Sequence, residues 1–415
     1  MNKTITTSQE VTSIGLAGQS VTTRIASIDI FRGLTMAVMI FVNELADVSG
    51  LPRWTYHAHM MENRMTYVDM VFPFFLFIVG LSIPLSVKQR LKKSNSVMAL
   101  WGHVILRAFS LIVLGLILAN FESGGAPLIG LNGAAWALIA LLGAVLYLNV
   151  YPESQRWRTL FGVMRGAGLA VLVVMLILFR RVTPTGHVAW LAPRYPEILG
   201  LIGFTYFAVC LLYIPTRKYL LAPVVWFLLL MLLCVLSTAK ILNVLPHLPF
   251  WFWPFGNGAM ASAVMAGIVT SAIFLGSHRW QSQRQKMLIA VMFGFSMLVS
   301  GWALAPLGIS KIRATPTWVL ISVGAAVLIF TGLYWICDVK KHTTWCAFVR
   351  PAGRNTLLTY LVPDFWFLFF ASLGIKYFDI HWNVGWPGVG KTLVFTALIL
   401  TIAAMLTRMK VRLQL

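Results

Sequence analysis

The sequence predicts an all-α polytopic integral membrane protein with about twelve transmembrane helices. Hydrophobic residues make up 59% of the 415 residues. Charged residues make up only 11%, less than half of the roughly 25% that is usual in a soluble domain. The mean hydropathy is +0.81, and long apolar runs recur along the whole chain. These values exclude a soluble globular protein, a disordered chain and an ordinary nucleic-acid-binding domain. The sequence also lacks the long β-alternating stretches that are typical of a membrane barrel.

Twelve apolar segments account for this prediction, each close to the roughly 20 residues that a spanning helix needs. They are 33–48, 66–87, 103–120, 131–150, 161–179, 197–214, 219–242, 260–276, 287–307, 316–337, 356–374 and 391–407. Because several are short or closely spaced, about ten to twelve spans are compatible with the sequence. Residues 1–23 form a polar tail without the apolar core of a cleavable signal peptide. Residues 24–407 form one transmembrane domain, and 408–415 form a basic tail.

The basic residues indicate which side of the membrane each loop faces. Lys and Arg number 33 against 12 Asp and Glu, a net charge of +21. With a cytoplasmic N-terminus, 21 basic residues fall in cytoplasmic loops and tails and 9 in the opposite loops. This positive-inside distribution predicts that both termini are cytoplasmic and that the number of spans is even. Topology and contact with anionic membrane lipids explain most of the charge, so no nucleic-acid partner is expected.

Charged groups are costly in a bilayer and therefore mark candidate functional positions. Five of the twelve carboxylates lie within 41 residues and are expected to cluster around His59: Asp29, Glu44, Asp47, Glu62 and Asp69. Asp29 and Arg32 share a helix face and can pair, either to seat the first helix or as part of a site. Asn43, which follows the mostly apolar run 34–42, makes either a helix–helix hydrogen bond or a contact with substrate.

A histidine-containing loop leads from the first span into the second. His57 and His59 precede Thr66, a predicted N-cap, and Asp69 stands three residues after Thr66, as in a capping box. Asp69 therefore either caps the helix or orients a nearby imidazole, which could then act as a base or nucleophile near neutral pH. Pro73 removes one backbone hydrogen bond of this helix. The pair His57-x-His59 has no third ligand nearby, so no metal is expected.

Several blocks of these residues resemble the heparan-α-glucosaminide N-acetyltransferase family, in its bacterial branch. The main blocks are Ser27-x-Asp29-x-Phe31-Arg32-Gly33, Phe41-Val42-Asn43 and His59-x9-Asp69-x-Val71-Phe72-Pro73-Phe74-Phe75-x-Phe77-Ile78-x-Gly80-x-Ser82-Ile83. Weaker blocks follow in order: Leu106-Arg107-Ala108-Phe109, Ser310-Lys311 and Ala352-Gly353-Arg354-Asn355-Thr356-Leu357-Leu358-x-Tyr360. The resemblance implies an inner-membrane enzyme that moves an acetyl group from acetyl-CoA onto the amine of a glucosamine-type sugar or glycan.

The resemblance also implies which residues form the site. His59 stands ten residues before Asp69 and so matches the family's catalytic histidine, whereas His57 does not. The catalytic residues implied are His59, Asp69 and Asn43. The residues implied or expected to contact CoA are Arg32, Arg107, Lys311, Arg354, Asn355 and Tyr360. In this hypothesis His59 deprotonates the acceptor or carries the acetyl group, Asp69 holds its ring, and Asn43 donates to the thioester oxygen.

Two other functions remain open at this stage. One is a transporter or flippase for an amino sugar or a lipid-linked sugar, which would use the same intramembrane charges. The absence of a visible internal repeat counts against it. The other is an acyltransferase for a different cell-envelope glycan, because the family's pattern is not kept at Pro363-Asp364 and at 199–204. A monomer and a homodimer are both compatible with the sequence.

Overall fold

The fold is taken from a computed structural model of the whole chain. The structure describes residues 25–122, 126–127, 130–153, 155–183, 185–192, 195, 197–242, 249, 253–276, 282–375 and 377–413. The predicted N-terminal tail lies outside these ranges, as do the last two residues of the predicted C-terminal tail.

Within the described residues, each of the twelve predicted segments overlaps one helix of at least 16 residues, and two short helices are added near the C-terminal end of the chain. The helices are α1 (Ala26–Leu45), α2 (Val71–Ser94), α3 (Val97–Glu122), α4 (Gly133–Leu148), α5 (Arg158–Leu178), α6 (Glu197–Thr216), α7 (Ala222–Thr238), α8 (Ala259–Leu275), α9 (Gln283–Ala303), α10 (Pro316–Tyr334), α11 (Arg350–Arg354), α12 (Thr356–Ser372), α13 (Tyr377–Ile380) and α14 (Gly385–Arg408). Among the described residues, eight helices are long and apolar enough to cross a membrane. The chain is therefore an all-α polytopic membrane protein.

Helix α1 begins two turns before the predicted start of the first span at Gly33. Its first backbone N–H groups have no partner within the helix. Both oxygens of Asp338 accept these hydrogen bonds, from Ala26 N and from Ser27 N, each at 2.9 Å. A carboxylate at this position also interacts favourably with the positive end of the helix dipole. Because this cap comes from a residue more than 300 positions away, local sequence did not predict the earlier start.

A small antiparallel sheet adds to the helical bundle and was not predicted. Its strands are β1 (Ala126–Pro127), β2 (Phe179–Val182) and β3 (Val188–Ala189), in the order β1-β2-β3. The sheet joins the segments that follow α3 and α5, so it fixes loops at one end of the bundle and leaves the membrane-spanning part entirely helical.

Close helix packing depends on glycines. A Cβ atom on Gly80 of α2 would overlap the carbonyl oxygen of Val264 on α8, and one on Gly267 of α8 would overlap that of Phe77. Small residues let two backbones approach in this way within a bilayer. Helix α1 packs in the same manner against α11, because a Cβ on Gly353 would overlap the carbonyl oxygen of Asp29.

Helix α1 lies in the middle of the bundle, in contact with α2, α10, α11, α12 and α14. Its first turns pack against α11. Asn355, directly after α11, binds Val411 and Leu413, so the first turns of α1 lie near the segment that follows α14. We call this the basic end. Its last turns lie near the start of α14, since the backbone of Ser49 bonds that of Asn383. We call this the histidine end, because the loop with His57 and His59 follows.

The glycine contacts predict how the protein responds to an added methyl group. Gly80→Ala should cost about 1–3 kcal/mol of stability because the α2–α8 interface is overpacked, and should lower the apparent Tm of the detergent-solubilised protein. Gly102→Ala is the matched control, because Gly102 is also helical and a Cβ there meets nothing within 4 Å. Equal melting temperatures for the two variants would contradict this account of the interface.

Candidate functional site

The most sharply defined polar contact at the histidine end joins His57 to Asp69. Nδ1 of His57 lies 2.7 Å from Oδ1 of Asp69. The carboxylate is 1% exposed, whereas the imidazole is 40% exposed. An ionised carboxylate only accepts hydrogen bonds, so Nδ1 carries the proton of this bond. In the neutral imidazole with this tautomer, Nε2 is the nitrogen that can accept a proton.

The second oxygen of Asp69 closes the predicted capping box. Oδ2 accepts hydrogen bonds from Thr66 N at 3.0 Å and from Ala58 N at 3.3 Å. Asp69 therefore has both of the roles considered for it: Oδ2 caps the helix, and Oδ1 contacts an imidazole. The capping bonds fix the carboxylate at the start of a 3-10 turn, Tyr67–Met70, that leads directly into α2.

Pro73 explains a further contact at the same residue. In a continuous helix the N–H of residue 73 would bond the carbonyl oxygen of Asp69, but proline has no N–H. The indole of Trp318 donates to that oxygen instead, with Nε1 2.9 Å away. The proline thus frees a carbonyl that ties α2 to the first turn of α10.

The loop before α10 completes the surroundings of His57. Nζ of Lys311 lies 3.5 Å from Nδ1 of His57. Asn63, from the histidine loop, accepts a hydrogen bond from the backbone N–H of Ile309 and so joins the two loops. Burial lowers the pKa of the Lys311 ammonium, and the carboxylates of Asp69 and Glu197 offset part of this effect.

His59 lies apart from this contact, which corrects the pairing predicted for it. The residue is exposed, and its backbone N–H donates to Oε2 of Glu62 at 3.1 Å. That hydrogen bond and the Arg64 guanidinium keep the pKa of Glu62 below its ordinary value. Asp69 holds the ring of His57 instead of that of His59. Spacing along the chain favoured His59, because it could not show how the loop folds back.

The five acidic residues expected around His59 are distributed over both ends. Asp29 lies at the basic end, 3.8 Å from Nη1 of Arg32, which confirms the predicted pair. Glu44 lies at the histidine end but bonds Nζ of Lys391 at 3.0 Å. Asp47 is exposed. The expectation that all five surround one histidine is therefore wrong.

Asn43 is exposed, and no side-chain hydrogen bond of it is found among the described residues. The helix–helix hydrogen bond considered for it is thus not observed. Helical periodicity places Asn43 on the same face of α1 as Met36 and Arg32, which lie seven and eleven positions earlier. Arg32 and Met36 line the cavity described next, whereas Asn43 does not.

A cavity of 480 Å³ at the basic end brings together four of the six residues expected to contact CoA. Its basic lining residues are Arg32, Arg90, Arg107 and Arg354; Arg90 was not predicted. Asp29 pairs with two of these guanidinium groups, at 3.8 and 4.0 Å. Among the described residues, the buried Nε of Arg107 has no hydrogen-bond partner. These groups suit an anionic ligand such as the phosphates of CoA.

The cavity reaches deep into the bundle. Its lining on α2 runs from Arg90 to Phe75, fifteen residues or about 22 Å of helix. Tyr360 lines the deep part, and its hydroxyl donates to Oε2 of Glu197 at 2.9 Å. Lys311 lies at the opposite end, beside His57, and not among the arginines. The predicted residues therefore fall into two groups at the two ends of one helix, α2.

Asn355 has a structural position. It is 3% exposed, donates to Thr407 Oγ1 at 3.0 Å and to Val411 O at 2.8 Å, and accepts from Leu413 N at 3.2 Å. These bonds use its amide to attach the segment after α14 to the bundle. The amide is therefore not available to a ligand in this arrangement.

The fold and these two sites define a polytopic membrane protein with buried polar groups at both ends. The chain belongs to the DUF5009 family, a domain of unknown function, which matches residues 24–255. Heparan-alpha-glucosaminide N-acetyltransferases of Mus musculus and Homo sapiens are each 35% identical to it over 127 residues. The matched stretch covers 31% of this chain and only 18% of the length of each of these relatives. The comparison agrees with the resemblance read from the motifs.

The contacts of Asn355 predict a structural effect of its removal. Asn355→Ala leaves buried partners unsatisfied, which typically costs about 1–3 kcal/mol per group, so the apparent Tm should fall. Calorimetric titration of the folded variant should give the same Kd for CoA as the wild type. A weaker CoA affinity with an unchanged Tm would instead place Asn355 in the ligand site.

Proposed function

We propose that this protein is a membrane acetyltransferase that moves an acetyl group from acetyl-CoA to the amine of a glucosamine-type sugar or glycan. The observation that supports the proposal most is the 2.7 Å contact between His57 and the buried Asp69. A base held by a buried carboxylate, at one end of a helix whose other end lines an arginine-rich cavity, matches what such a reaction needs. The similarity to membrane N-acetyltransferases supports the same reaction class.

In the proposed mechanism His57 takes the place that spacing gave to His59. Nε2 of His57 removes a proton from the acceptor ammonium, and the neutral amine then attacks the thioester carbonyl. The new C–N bond forms as the C–S bond breaks, and the proton that the nitrogen loses on becoming an amide passes to the departing sulfur, so CoA leaves as the thiol. Asp69 keeps Nδ1 protonated and stabilises the imidazolium that forms, as the carboxylate does in a catalytic triad.

Charge that develops on the thioester oxygen needs a donor nearby. Asn43, near the end of α1, and Lys311, 3.5 Å from His57, are the candidate donors. The CoA phosphates would lie among Arg32, Arg90 and Arg107 at the basic end. The pantetheine arm would follow α2 toward Phe75, so the thioester would approach His57 from within the bundle.

The two histidines give a direct test of this mechanism. His57→Ala should lower kcat/KM for acetyl transfer by about 10²–10⁴-fold, the usual contribution of a general base. His59→Ala should stay within about threefold of the wild type, because its ring does not contact Asp69. Initial rates with labelled acetyl-CoA and glucosamine measure both variants, with equal melting temperatures as the check on folding. Full activity of His57→Ala together with an inactive His59→Ala would restore the assignment made from spacing.

The arginine cavity gives a test of donor binding. Arg107, whose guanidinium stacks on Tyr206 at 4.8 Å, is already oriented in the free protein. Arg107→Gln removes charged hydrogen bonds worth about 1.5–3 kcal/mol, so the Kd for CoA should rise by about 10- to 100-fold.

The affinity for pantetheine, which lacks the nucleotide, should not change in Arg107→Gln. Arg165→Gln is the control, because Arg165 is exposed on α5 and does not line the cavity. Equal losses for CoA and pantetheine, or unchanged CoA binding, would contradict the placement of the phosphates. A protein that binds amino sugars but neither CoA nor acetyl-CoA would instead be a transporter.

A further inference from the structure

A second cavity, of 570 Å³, lies at the histidine end between α12, α13 and α14. Its wall includes five large aromatic side chains: Trp366, Phe367, Tyr377, Trp382 and Phe395. The hydroxyl groups of a sugar need hydrogen-bond partners when they are buried, and this wall offers few. A hydrocarbon chain needs none, so it can exchange lipid neighbours for this wall without leaving a polar group unsatisfied. The chemistry of the wall therefore favours an apolar ligand.

The position of this cavity gives it access to the bilayer. Along α14 its lining runs from Pro387 to Leu398, about 16 Å of helix. This length is about half of the roughly 30 Å hydrocarbon thickness of a membrane. Val394, also in the lining, is 70% exposed, and its neighbour Leu393 is 56% exposed. Apolar side chains this exposed on a spanning helix face lipid, so a hydrocarbon chain can enter sideways from one leaflet.

A buried ion pair lies within the same cavity. Nζ of Lys391 is 3.0 Å from Oε1 of Glu44, and the two side chains are 15% and 5% exposed. Ionised groups at this depth in a membrane are costly and mark functional positions. Lys391 lies six residues into α14, about 9 Å below its start at Gly385. The pair thus gives this mainly apolar cavity two charged groups that a polar linkage of a ligand could contact.

The rim of the cavity is joined to the loop that carries His57. The N–H of Ser49 donates to the carbonyl oxygen of Asn383 at 2.8 Å, and the N–H of Gly385 donates to that of Ser49 at 2.8 Å. Tyr56, next to His57, donates its hydroxyl proton to the carbonyl oxygen of Val48. A head group at the rim would therefore lie beside the same short loop as the proposed base.

We propose that this aromatic cavity binds the hydrocarbon chain of a lipid-linked acceptor, whose amino-sugar head group is presented to His57. The inference rests on the proposed acetyl transfer and narrows its acceptor to a sugar attached to a membrane lipid. The chain lies against Trp366 and Phe395, and its linkage lies near Lys391.

A substitution at Gly390 can block the cavity. This residue lines the cavity, and a Cβ there meets nothing within 4 Å, so Gly390→Phe occupies the space without backbone strain. Gly332→Phe is the matched control, because Gly332 is also helical, exposed and open but lies on α10. Acetyl transfer is measured in vesicles with two acceptors, free glucosamine and a glucosamine that bears a long alkyl chain.

The wild type and Gly332→Phe should use the alkyl acceptor with a KM about tenfold or more below that of free glucosamine, a difference of about 1.4 kcal/mol. Gly390→Phe should lose this preference and keep the wild-type rate with free glucosamine. An equal KM for both acceptors in the wild type, or an alkyl preference that survives in Gly390→Phe, would overturn the proposal.

A second measurement separates this proposal from the acetyl transfer on which it rests. An alkyl glucosamine with a photoreactive group in its chain should label α12 and α14 in the wild type and not in Gly390→Phe, whether or not acetyl transfer occurs. Labelling without transfer would uphold the cavity and refute the acetyltransferase. Transfer without labelling would uphold the acetyltransferase and refute the lipid-binding role of the cavity. A photoreactive phosphatidylcholine serves as the control ligand. If it labels α12 and α14 as strongly as the alkyl glucosamine does and is not displaced by it, the cavity holds an ordinary bilayer lipid and the proposal is refuted.

Discussion

The buried carboxylate of Asp69 links the local fold of the histidine end to its chemistry. One oxygen caps the turn that starts α2, and the other holds the ring of His57. The backbone carbonyl of the same residue accepts the indole of Trp318, because Pro73 leaves it free. These bonds fix the carboxylate and the backbone of Asp69, and so restrict where Nδ1 of the imidazole can lie relative to α2 and α10. The same bonds that begin a transmembrane helix therefore fix the proposed base.

The features that the sequence predicted depend on short-range patterns. Apolar runs located all twelve long helices, and the Thr66–Asp69 spacing located the capping box, because both follow from the geometry of one helix. The choice between His57 and His59 depends on how a loop of some ten residues folds back on itself, and periodicity does not describe loops. The Asp338 cap and the Glu44–Lys391 pair join residues hundreds of positions apart, so no local rule could find them.

The acidic residues also show that proximity in sequence does not predict proximity in the fold. Five carboxylates close in sequence suggested one site, but a transmembrane helix carries neighbours in sequence to opposite ends of the bundle. Asp29 and Glu44 are fifteen residues apart on α1, about 22 Å along its axis. Each is paired with a basic group at its own end. In a membrane protein, sequence clustering of charges therefore indicates a shared helix before it indicates a shared site.

The separation of the two ends limits how the proposed transfer can proceed. The arginine cavity extends about 22 Å along α2 from Arg90 and stops at Phe75. Asp69 lies six residues beyond, roughly 10 Å further. The buried side chains of Val71 and Phe72 lie on this interval of the chain. A thioester at the deep end of the cavity thus lies about two turns of α2 from the base. For donor and base to meet, the proposed transfer therefore requires either that the thioester advances along α2 beyond Phe75 or that the loop with His57 moves toward it.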